Sequence, residues 1–187
     1  MAAACLAFLL ATGPGAQTRD EGKFEVLEAS HELVDGEYRV DALIYLRLPS
    51  DVAEALRDSS QPLTIRVEVE FLNRLWFWWD SAEFTQVERH RLNYNSLTDR
   101  YIVRNEGKPA NGIDAFPTLA AALEHIGHID DLPVVAAGEL DRDLRYDIRI
   151  RAVLDQDDLP GPLRLISFWR NDWSIGSEWL QWRLDEE

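Results

Sequence analysis

Asp172 and Glu178 bring two carboxylates beside indole rings in the run Asn171-Asp172-Trp173-Ser174-Ile175-Gly176-Ser177-Glu178-Trp179. In a sugar-processing site one such group protonates the leaving oxygen while the other attacks or activates water. Their spacing along a turn fixes no distance between them. The plainer reading is a turn in which Asp172 and Ser177 satisfy backbone amides. His125 and His128 stand at i and i+3 on a predicted helix, near Glu124 and Asp131, and could share one face. Zinc normally takes about three or four protein ligands, so two histidines alone read better as polar-face residues. His31 and His90 are isolated. Asp155-Gln156-Asp157-Asp158 has the oxygen density that Ca²⁺ favours, but not the ordered spacing and closing glutamate of the EF-hand loop. The Gly-x-Gly-x-x-Gly, phosphate-loop, Gly-x-Ser-x-Gly and His-Glu-x-x-His motifs are absent. No catalytic residue, metal site or cofactor is therefore assigned, and the chain reads as a non-enzymatic protein.

The remaining chemistry is aromatic. All 7 tryptophans fall in two places: the run Leu75-Trp76-Phe77-Trp78-Trp79-Asp80, and Trp169, Trp173, Trp179 and Trp182 near the C-terminus. Each ring buries on the order of 150–250 Å². If the alternation of Leu63–Phe71 continues unbroken, Phe77 and Trp79 face the core while Trp76 and Trp78 face outward beside Arg74. Arg74, Trp76 and Trp78 are then a candidate binding surface, since Trp, Tyr and Arg are the usual interface anchors. The competing reading is a bulge near Asn73 that resets the register, with the C-terminal tryptophans covering the rest.

The elements that must position these residues are mostly strands. In Tyr38–Leu48 the even positions are apolar; in Leu63–Phe71 the odd ones are; Leu144–Leu154 alternates likewise. Half-buried antiparallel strands have this period. Weaker strands are predicted at Phe24–Ala29, Phe84–Tyr94, Arg100–Arg104, Leu163–Arg170 and Glu178–Leu184, with a hairpin loop inside Tyr94–Tyr101. Asn105–Asp114 reads as a loop. Ser50–Leu56 reads as a short helix capped by Ser50, and Thr118–Asp130 as an amphipathic helix capped by Thr118 and stopped by Pro133. These elements predict a mainly β chain, an antiparallel β-sandwich of immunoglobulin-like type with about eight strands and one inserted amphipathic helix besides the short one. A lipocalin-type barrel is the alternative.

With 187 residues the chain suits one domain, over residues 17–187. Residues 1–16 are uncharged and apolar, then small, which reads as a secretory signal too short to span a bilayer. No lysine or arginine precedes the apolar run. Cys5 lies inside that segment, so signal removal would leave the mature chain without cysteine and without a transmembrane segment. The net charge of −15 argues against nucleic acid and anionic membranes as partners, both of which require a basic footprint, and favours cationic ones.

Several segments occur in a characteristic order. They are Leu48-Pro49…Glu54-Ala55-Leu56…Pro62-Leu63, Trp78-Trp79-Asp80, Leu92-Asn93-Tyr94-Asn95-Ser96-Leu97-Thr98…Tyr101, Phe116-Pro117-Thr118-Leu119…Ala122-Leu123, and Asp172-Trp173…Ser177-Glu178-Trp179…Trp182. In this the chain resembles a family of uncharacterised proteobacterial secreted proteins, classed as a domain of unknown function, over essentially the whole mature chain. Members begin with a signal peptide, and their genes often adjoin one for a membrane sensor histidine kinase of the nitrogen-regulation type. The short uncharged N-terminus departs from that pattern. The resemblance implies a periplasmic or secreted protein with a partner in the cell envelope, such as the kinase, and no catalytic residue. The expected function is a protein-interaction module; the alternative is a small-molecule, glycan or lipid binder with an aromatic platform.

Overall fold

The computed structural model describes residues 22–59, 61–74, 81–107, 112–155 and 175–184. The elements are β1 (Lys23–Val34), β2 (Glu37–Arg47), α1 (Ser50–Ser59), β3 (Leu63–Asn73), β4 (Ser81–Asn95), β5 (Arg100–Asn105), β6 (Ile113–Phe116), α2 (Leu119–Gly127), β7 (His128–Ala136), β8 (Tyr146–Leu154) and β9 (Leu180–Arg183). They form two antiparallel sheets, β1-β2-β7 and β6-β5-β4-β3-β8-β9. The chain is thus the mainly β sandwich that the alternation predicts.

The core lies between the sheets because each strand turns its apolar side inward. Val40, Ala42, Ile44 and Leu46 of β2 meet the odd residues of β3 from Leu63 to Phe71 and the even residues of β8, all of them buried. Tyr38 packs its ring on Phe71 across the gap, with centroids 5.9 Å apart. At about 25 cal/mol per Å² of apolar surface, burial of this kind is the main term favouring the fold. The central strand β3 is also covered on its outer side, where Thr64, Glu68 and Leu72 are buried.

Turn chemistry fixes the registers. Val34 pairs with Glu37, leaving Asp35-Gly36 as a two-residue loop with φ of 52° and 82°. Positive φ at both positions is the demand of the hairpin turn that matches strand twist, which Asp-Gly meets at little cost. The predicted loop after Tyr94 is present: the Asn95 side-chain oxygen accepts from Leu97 N at 3.0 Å and Thr98 N at 3.3 Å. Tyr94 donates to the Asp99 carboxylate, which holds its phenol proton above the ordinary range.

Two predicted elements differ in extent, helix α2 and the loop before β6. Helix α2 is capped by Thr118, whose hydroxyl accepts from Ala121 N at 3.1 Å, but it ends at Gly127 rather than Asp130. A Cβ on Gly127 would collide with the carbonyl oxygen of Ile44, so glycine lets the helix end press against β2 and the chain leave as β7. Pro133 therefore lies inside a strand, at an outer described position of its sheet, where a missing N–H is tolerated. The expected loop Asn105–Asp114 gives its last residues to β6. The predicted strand Leu163–Arg170 lies outside the described residues.

Candidate functional site

Antiparallel pairing places opposed residues on one face, so the registers sort the side chains of the six-stranded sheet. On β4 and β5 the outward positions carry Arg89, Arg91, Arg100 and Arg104. On β3, β8 and β9 they carry Arg66, Arg149, Arg151 and Arg183. Within the paired strands the carboxylates on this face are Glu68, Glu70 and Asp147, and Glu106 and Asp155 reach Arg91 and Arg66 from the strand ends. An acidic chain of net charge −15 thus turns an arginine-rich face outward.

The face has two halves. Over β3 and β8 the charges are paired: Arg151 Nε donates to Glu68 at 2.8 Å and Arg149 Nε to Glu70 at 2.8 Å. The Trp179 ring covers both guanidinium groups, with each carbon 4.3 Å from its centroid. Such stacking adds about 0.5–2 kcal/mol per contact, according to desolvation. Over β4 and β5 the arginines are exposed. Arg91 reaches Glu106 at 3.9 Å, while Arg89, Arg100 and Arg104 form no ion pair among the described residues. Half-buried Val87 and Ile102 and exposed Ile113 lie among them. Opposed like charges repel, and Arg66 faces Arg89 as Arg91 faces Arg104. A cross-strand arrangement of that kind destabilises the sheet unless anionic groups compensate it.

On the opposite, inner side of the same sheet is a cleft between β4–β6 and the α2–β7 junction. Its lining includes Glu88, His90, Asn105, Asp114, His125 and Asp130. Asn105 donates to Glu88 and its side-chain oxygen accepts from Gly107 N at 2.9 Å. His125 Nε2 is 3.3 Å from Asp114, and its ring packs on Phe116 with centroids 4.9 Å apart. Asp131 also lines the cleft and is paired with Arg39, whose Nη1 donates to both of its oxygens at 2.8 and 2.7 Å. That contact keeps the Arg39 guanidinium above its ordinary range. Among the described residues no group of three or more His, Cys, Asp or Glu is arranged to hold a metal ion, and no helix is long and apolar enough to cross a membrane.

A family model for a domain of unknown function, DUF4390, matches residues 21–183. The chain belongs to that family. No curated protein and no solved structure matches it.

Of the predicted surface, Arg74 is exposed beyond the end of β3, its N–H bonded to Arg145 O at 2.9 Å and its Nε 3.6 Å from Asp147. Trp76 and Trp78 lie outside the described residues. The pairing with β4 shifts between Phe71 and Leu72 because β4 carries the extra residue Glu83, whereas β3 keeps its register with β8 through Asn73. Asp172 lies outside the described residues, and Glu178 is exposed beside Trp179. His125 and His128 do not share a helix face, since His128 opens β7. Asp155 pairs with Arg66 at 3.6 Å; Gln156–Asp158 lie outside the described residues. Sequence reasoning missed the arginine face, although alternate arginines such as Arg89 and Arg91 mark the polar side of a strand. It also set His90 aside as isolated.

Proposed function

We propose that this DUF4390 protein is a non-enzymatic interaction module, periplasmic or secreted, which presents Arg89, Arg91, Arg100 and Arg104 to an acidic patch on a cell-envelope protein. The extracytoplasmic part of a membrane sensor histidine kinase is the partner that the family resemblance suggests. The observation that carries this reading is the exposed arginine group on β4 and β5 with apolar residues set among it. Arginine beside apolar contacts is the composition of an interface anchor. A duplex or an anionic bilayer is extended enough to meet the acidic surface around this face as well, which the net charge of −15 makes repulsive. A protein docking within a Debye length, about 8 Å at physiological salt, meets the local basic face instead. The competing reading, an aromatic platform for a glycan or lipid, would use Trp76 and Trp78, or Trp179, one side of which is already engaged by two guanidinium groups.

Photo-crosslinking in the native host tests the proposal, with a probe at Arg104 and a control probe at Glu32 on exposed β1. A discrete protein adduct from position 104 alone is expected, and Arg89→Glu together with Arg100→Glu should abolish it while the domain stays folded. Equal labelling from both positions, or an adduct indifferent to the charge reversal, overturns it.

A further inference from the structure

The inner cleft carries an inference independent of the arginine face. His90 is 6 % exposed, and among the described residues neither ring nitrogen has a hydrogen-bond partner. Glu88 Oε2 is 3.7 Å from Nε2, outside hydrogen-bond reach. A buried polar group left unsatisfied carries its full desolvation penalty, so the imidazole is poised for a partner that arrives from the cleft it lines.

The shape and charge of the cleft define that partner. Its inner chamber holds about 130 Å³, well below the roughly 300–1,000 Å³ of pockets for drug-sized ligands. Only a slender group fits. The chamber shares His125, His128 and Asp130 with a wider outer hollow of about 550 Å³, so a chain can enter from outside. Glu88, Asp114 and Asp130 supply negative charge, and no lysine or arginine lines the chamber among the described residues. Val103, Ile129 and Leu132 give it apolar walls. Anions are therefore repelled, and a bare metal ion lacks a ligand set.

We infer that the cleft binds a primary ammonium on an unbranched alkyl chain. The methylenes lie along Val103, Ile129 and Leu132, and the ammonium donates to a free imidazole lone pair of His90 and to the Asp114 carboxylate. Charge-assisted bonds of this kind are about twice as strong as neutral ones. A free alkylamine and a lysyl side chain of a partner protein present the same group.

The test is an NMR titration of the full chain at fixed ionic strength with n-butylammonium, using n-butanol as the uncharged control. Saturable shifts at His90, Val103 and Leu132 are expected with n-butylammonium and not with n-butanol. Asp114→Asn, at an exposed site on β6, should weaken binding by about tenfold or more, the loss expected of one bond to a charged group. His90→Leu, a second variant that removes the unsatisfied nitrogens, should weaken it too. Tighter binding of N-acetyl-lysine methylamide than of putrescine assigns the source to a partner's lysine; the reverse assigns it to a free amine. The inference is overturned if no amine gives saturable shifts, if n-butanol matches n-butylammonium, or if Asp114→Asn binds unchanged.

Discussion

Trp182 on β9 donates its indole N–H to Nδ1 of His31 on β1 at 3.1 Å, joining the six-stranded sheet to the three-stranded one. Because the indole can only donate, His31 must present a lone pair at Nδ1 and carry any single proton on Nε2. The bond joins residues 151 positions apart and closes the sandwich beside β8. Trp182→Phe keeps most of the apolar ring and removes the donor. It should cost about 1 kcal/mol, measured as a lower urea midpoint with an unchanged m-value.

Gly127 and Gly36 separate two reasons for glycine. At Gly127 an added methyl meets the Ile44 backbone carbonyl, whereas at Gly36 it meets nothing within 4 Å. Gly127→Ala must displace helix α2 from β2 and should cost about 3 kcal/mol or more. Gly36→Ala carries only the penalty of its positive φ, about 1–2 kcal/mol. Thermal unfolding of both variants checks the order.

Glu68 is 8 % exposed and depends on Arg151 for its charge pair. Arg66 Nη2 is farther off, at 3.7 Å. Arg151→Met should therefore destabilise by about 3 kcal/mol, the cost of stranding a buried carboxylate. Adding Glu68→Leu should recover most of the loss, which a double-mutant cycle in urea would read directly.

Burial raises the Tyr146 phenol above its ordinary range, and a hydrogen bond to Glu83 adds to this. The folded chain then keeps a proton that the unfolded chain releases. Stability is thus unaffected by this group below the ordinary tyrosine range near about pH 10 and falls as pH rises through it. Tyr146→Phe should flatten that alkaline decline in urea titrations; an unchanged slope would place the loss elsewhere, with Tyr94 the next group of the same sign.

Legibility in the sequence followed regularity. Strands β2, β3 and β8 are plain because one uninterrupted alternation runs through each, and Thr118 is plain because its cap is local. β7 was hidden by its irregularity. Its pairing with β2 shifts twice, so Asp130 and Asp131 fall together and no period of two survives. Asp35-Gly36 was a readable hairpin signal that the strand pattern around it obscured, because β1 carries a shift of its own between Val26 and Glu28. The candidate sites were less legible than the fold. Each arginine of the face reads as the polar side of its own strand, and only the order of strands gathers them. His90 looks solitary along the chain; its unsatisfied nitrogens become visible only once β7 closes over them.

Among the described residues β1 and β7 are the outer strands of the three-stranded sheet, and this has a bearing on recognition. A visiting strand beside β7 would meet Pro133, which has no N–H, and the paired acids Asp130 and Asp131. Beside β1 it would meet a kinked ladder with Glu25, Glu28 and Glu32 pointing at solvent. Bulges, prolines and charges of this kind discourage chain-to-chain backbone pairing. Extension of the three-stranded sheet by a foreign strand is thereby disfavoured, so a partner there must recognise this protein through side chains rather than by joining its hydrogen-bond ladder.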